Sequence, residues 1–187
     1  RAWYCALSEK VLAFSEAGFE ESGFYTEGVG YWSYGFSHYI LAAELIRKVT
    51  RGEVDWLKKP KVELMSQFGT RMEIQDGTYP AFADCKSSTQ PPQWLCHWYN
   101  NRLDPDREER DTEREIDPFD PPHFIHGSIN ALLLFHQLDI NQAYARKLPD
   151  REREWFDDVQ FLISRPREDS STRMAATFKG GHNGVNH

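Results

Sequence analysis

Tyr31 stands behind two glycines, Gly28 and Gly30, and opens a run that contains Trp32, Tyr34, Gly35 and His38. At a helix N-terminus the free backbone N–H groups and the helix dipole favour negative charge. A phenol, whose ordinary pKa is about 10, needs such help to act as a base near neutral pH. Tyr34 and His38 follow Tyr31 on the same helical face. From composition alone, a cluster of Tyr and Trp is more often core than catalytic. A second group closes the chain, where His182, Asn183, Asn186 and His187 are interleaved with Gly180, Gly181 and Gly184. Such a loop suits a carboxylate, a sugar hydroxyl or a metal, because glycines let backbone approach a ligand closely. It also reads as an exposed tail, and its two histidines are weak grounds for zinc. A third stretch runs from the Asp76-Gly77 turn through Tyr79, Phe82 and Asp84. It suits the wall of a carbohydrate cleft, and a packed connection between helices is the simpler reading. His97, His123, His126 and His136 show no ligand spacing and read as structural, so no metal ligand is assigned.

These groups must be positioned by helices first and strands last. Trp3, Leu7, Val11 and Phe14 recur at helical spacing and predict a helix over 2–17 that ends at Gly18. A glycine-containing loop over 20–28 leads into a second helix over 30–50. One stripe of it carries Tyr31, Tyr34 and His38, another Trp32, Phe36, Ile40 and Ala43, which predicts burial on both faces. A third helix is expected over 54–75, with a break near Pro60, because proline suits a first turn better than an interior. A short helix over 93–103, a solvated charged run over 104–122 and a helix over 124–147 follow. The composition then turns β-branched and aromatic, and strands are expected over 160–164 and 172–178. Residues 1–155 therefore read as a helical domain and 156–187 as the beginning of a second domain rich in β-structure.

Hydrophobic residues at 40% and charged residues at 27% of the 187 allow a packed core and argue against general disorder. Aromatics reach 14%, which suits a protein that stacks rings against ligands such as sugars. A net charge of −7 argues against a general nucleic-acid binder, while a few cations lining a cleft still admit an anionic substrate. The longest apolar run, residues 131–135, is far too short to span a membrane. Cys5, Cys85 and Cys96 are too few and too scattered for a disulfide scaffold or a cysteine zinc site. One disulfide with a spare thiol and three free thiols both fit. No nucleophile elbow, phosphate-binding loop or dinucleotide fingerprint is present.

The order of the three stretches resembles the heparinase II/III-like polysaccharide lyases. Residues 26–35 are similar to the family's glutamate-glycine-x-x-tyrosine stretch, with Glu27, Gly28 and Tyr31 at the matching positions. Residues 77–84 are similar to its glycine-x-tyrosine-proline stretch, with Gly77, Tyr79 and Pro80. Residues 178–187 are similar to its glycine-glycine-x-asparagine stretch, which runs into a histidine-rich signature whose first histidine is His187. The resemblance implies a mainly α fold with a small β part, a portion of an incomplete α/α toroid followed by the first strands of a β-sandwich-like domain. It implies β-elimination at uronic-acid residues of an acidic polysaccharide, with no cofactor required for the chemistry. A structural zinc would belong to a longer parent, with ligands mostly outside this chain. By resemblance Tyr31 is the base and also the acid, and His187 aids proton transfer. Glu27, Tyr34, Tyr79, His182, Asn183 and Asn186 bind substrate or shape its loop. The resemblance further implies a periplasmic or secreted location and a piece of a longer protein that does not catalyse in isolation. Two other readings stand beside it: a non-catalytic carbohydrate-binding or scaffold protein on the same helical fold, and a helical hydrolase using two carboxylates.

Overall fold

The computed structural model describes residues 2–92, 95, 152–167, 169–171 and 173–181. Helix α1 is Ala2–Ala17, α2 is Gly28–Val49 and α3 is Pro60–Arg71, with a 3₁₀ turn at Trp56–Lys58. Strands β1 (Arg153–Phe156), β2 (Phe161–Ser164) and β3 (Ala176–Lys179) form one antiparallel sheet in the order β1-β2-β3. The described residues are therefore mainly helical with a small β part. Among them no helix is long and apolar enough to cross a membrane. The expected helix over 124–147 and all but Leu95 of that over 93–103 lie outside the described residues.

The stripe that announces α1, Trp3, Leu7, Val11 and Phe14, faces outward, and Leu12 on the other side is the buried anchor. Glu16 ties this helix to its neighbours, accepting from the Tyr39 hydroxyl at 2.7 Å and from Lys59 Nζ at 2.9 Å. Helix α2 buries Val29, Trp32, Phe36, Ile40, Ala43 and Ile46. The Trp32 indole donates to the Met65 carbonyl at 2.8 Å and its ring stacks on Phe36. The expectation that α2 is buried on both faces is corrected, because Tyr31, Tyr34, Leu45 and Val49 are exposed. The break at Pro60 is real: the proline occupies the first turn of α3, where its missing N–H leaves no intrahelical bond unmade. Asp76 and Gly77 both take positive φ, 48° and 77°, and Gln75 and Thr78 pair across them, the geometry of a type I′ turn.

Strand β1 was not expected, and it crosses the boundary placed at residue 155. Trp155 alternates outward while Glu154 and Phe156 point inward. The inner face of the sheet shares one core with the helices. Phe24 packs against Phe68, Phe156 and Phe161 at ring distances of 5.1, 5.0 and 5.3 Å. Polar bonds reinforce the seam. Arg71 holds the buried Glu154 at 2.7 Å, Ser22 holds Asp158 at 2.8 Å, and Arg165 donates to the carbonyls of Arg71 and Glu73 past the end of α3. The strand expected over 172–178 is present as β3, beginning four residues later at Ala176.

Candidate functional site

The N-terminus of α2 has no side-chain cap from its own preceding residue. Glu27 instead turns its carboxylate to the Tyr25 hydroxyl at 3.0 Å. A distant loop supplies the cap. Cys85 Sγ accepts from the Gly30 N–H at 3.3 Å and its thiol is directed to the Glu27 carbonyl at 3.8 Å. Gly28 takes φ +85°, and a Cβ there would stand 2.7 Å from Cys85 Sγ and 3.3 Å from the Phe82 carbonyl. Only glycine meets both demands, the left-handed backbone and the close approach. The loop itself is tightly turned, with Cys85 N–H on the Phe82 carbonyl at 3.1 Å and Ala83 at φ +52°. Phe82 anchors it, stacked on Phe24 and tilted against Phe161.

This docking carries Asp84 to Tyr31. The Tyr31 hydroxyl donates to Asp84 Oδ2 at 3.4 Å. The Asp84 carboxylate raises the Tyr31 pKa above its ordinary value, with smaller contributions from burial, the hydrogen bond to Asp84 and the charges of Glu27 and Cys85. The phenol is thus moved away from ionisation, opposite to what its place near a helix N-terminus predicts. Burial, followed by the bond to Glu27, pushes the neighbouring Tyr25 phenol up to about 12. At neutral pH Tyr31 is a proton donor held by a carboxylate.

Tyr31 and Tyr34 are brought together on the exposed face of α2, with the Tyr34 ring 4.6 Å from His38. Glu27 stands at the head of the same helix. Tyr79 is placed differently from the expected cleft wall. It is 4% exposed and its hydroxyl is directed to Glu73 Oε2 at 3.4 Å, so it packs the turn beneath the loop. His182, Asn183, Asn186 and His187 lie outside the described residues. The strand that leads to them ends beside the same loop, with Lys179 Nζ 5.2 Å from the centre of the Phe82 ring. Cys5 and Cys85 are free thiols. Among the described residues no group of three or more His, Cys, Asp or Glu side chains is arranged to hold a metal ion.

Asp84 and Cys85 are the residues that sequence reasoning missed. Asp84 was visible only as the end of an aromatic stretch, and Cys85 as one of three scattered cysteines. No protein-family model and no curated protein matches the chain.

Proposed function

We propose that this chain is a portion of a polysaccharide lyase that cleaves a uronic-acid-containing acidic polysaccharide by β-elimination. In this reading α1 to α3 belong to an incomplete α/α toroid, the sheet opens a β-sandwich-like domain, and the protein works in the periplasm or outside the cell. The observation that carries the reading is an exposed Tyr31 at the head of α2, its hydroxyl on a carboxylate, with Tyr34 beside it on the same face.

The reaction breaks the C5–H bond of the uronate and places that electron pair in a C4=C5 double bond. The C4–O4 bond breaks, and O4 leaves with a proton. The departing oxygen needs a proton donor, and a phenol that keeps its proton at neutral pH fits that need. Tyr34 offers a ring on which a sugar can stack. Removal of the C5 proton and neutralisation of the substrate carboxylate are assigned to residues of the closing segment, His187 and Asn186, by resemblance alone. The reaction needs no cofactor, and no step here is routed through a metal.

The test is an ultraviolet absorbance assay for unsaturated sugar ends, run on a panel of uronate polymers with the protein bearing its natural termini. Tyr31→Phe is expected to remove most turnover while binding stays roughly intact. Retained turnover in that variant refutes the assignment of Tyr31. Binding without any product supports the non-catalytic carbohydrate-binding reading, and saturated products support a two-carboxylate hydrolase.

A further inference from the structure

We propose that Asp84 is a positioning residue of this site: the loop 82–85, docked as the cap of α2, brings its carboxylate to the Tyr31 hydroxyl and makes Tyr31 the proton donor of the reaction. Three geometric facts support this. Cys85, the next residue, is pinned to the Gly30 N–H, so Asp84 is carried to its place by the backbone. The Tyr31 hydroxyl lies 3.4 Å from Asp84 Oδ2. Glycine at position 28 leaves room for the loop to approach that closely. The charged and titratable groups acting on Tyr31 are Asp84, Glu27 and Cys85, with Tyr25 coupled to it on the same turn. All of them disfavour a phenolate, and Asp84 acts most strongly. A carboxylate accepting the phenol's hydrogen bond also fixes the direction of the hydroxyl, which sets where its proton can be delivered.

The consequence for turnover rests on the lyase reading, whereas the consequence for the phenol does not. The decisive experiment follows tyrosine ionisation by NMR with ring-labelled tyrosine, the Tyr31 signal being assigned from its loss in Tyr31→Phe. Asp84→Asn should lower the Tyr31 midpoint, and Glu27→Gln should lower it less. Asp84→Glu, which keeps the charge, should bring it back toward the wild-type value. Asp84 is exposed, so these variants are expected to fold. Asp84→Ser carries the same expectation if the asparagine variant does not. An unchanged midpoint in a folded Asp84 variant, or a larger effect from Glu27→Gln, overturns the proposal. If elimination is observed, the alkaline limb of kcat/KM should also move to lower pH in Asp84→Asn, because a proton donor is lost as pH rises through its pKa. A limb that stays in place while the midpoint moves overturns the assignment of Tyr31 as donor. A wild-type protein that forms no unsaturated product removes the lyase reading and leaves the titration to decide the role of Asp84.

Discussion

Gly28→Ala tests the docking of the loop that builds the site. Gly28 has φ +85°, and holding alanine in a left-handed conformation costs about 1–2 kcal/mol. The new methyl would also stand 2.7 Å from Cys85 Sγ, closer than such contacts allow. Relieving that overlap costs roughly 1–3 kcal/mol in a packed region. The variant should therefore lose about 2–5 kcal/mol, a large share of the roughly 5–15 kcal/mol that holds a typical domain. Replacing Cys85 by alanine removes the sulfur but leaves its Cβ, which lies at an ordinary 3.7 Å from the added methyl. In Gly28→Ala with Cys85→Ala the overlap is gone and the backbone cost remains. The pair should be less destabilised than the sum of the single variants, by about 1–3 kcal/mol. Urea unfolding followed by far-ultraviolet circular dichroism measures all four corners of the cycle. The Tyr31 ionisation midpoint adds a local readout, because displacing the loop moves Asp84 away and the midpoint should fall. Strict additivity, or a Gly28→Ala variant within about 0.5 kcal/mol of wild type, refutes the argument that glycine is there to admit the thiol.

Two further outcomes are expected. Arg165→Ala should cost about 2–4 kcal/mol in denaturant unfolding, since it leaves the carbonyls of Arg71 and Glu73 without donors at 2.7 and 2.8 Å behind α3. A loss within the range of ordinary surface substitutions would show that water replaces the guanidinium. Tyr25 should titrate near 12 by tyrosinate absorbance, against an unfolded value of about 10. Its folded pKa is raised, so its contribution to stability is complete below about pH 10 and is lost as pH rises through about 12. Glu27→Gln should lower that midpoint, and an unchanged value would mean that the Tyr25–Glu27 bond does not form in solution.

The helices were legible because periodicity, glycine and proline act locally. Gly18, Pro60 and the Asp76-Gly77 pair each mark an end or a turn through their own backbone preferences. Which face of a helix is buried was less legible. Trp3, Leu7, Val11 and Phe14 announce α1 by spacing yet face outward, while Leu12 alone makes the deep contact. Spacing reports a helix, but burial depends on what the rest of the chain brings against it. Strand β1 was missed for a related reason. Arg153 and Glu154 look like the tail of a charged run, and Glu154 is buried only because Arg71, far away in sequence, meets it. The boundary drawn at residue 155 fails to separate two cores because Phe156 and Phe161 pack on Phe24 and Phe68 of the helical part.

The site divides in the same way. Tyr31 was found from its place near the N-terminus of a helix, a local signal, and the direction of its pKa was then misjudged from that signal alone. The helix dipole favours a phenolate, but Asp84 is 53 positions away and reaches it only because Phe82 is anchored in the core and Cys85 caps α2. A carboxylate 3.4 Å from the hydroxyl outweighs the partial charge of the helix end, since a full charge at that distance exceeds a dipole worth about half a charge spread over the first turn. The chemistry follows from that comparison. For Tyr31 to take the C5 proton, the bound substrate or the closing segment would first have to bring positive charge to Asp84. For Tyr31 to give a proton to O4, nothing has to change. Opposite pH dependences separate the two roles: a tyrosine base gains activity as pH rises through its pKa, and a tyrosine acid loses it.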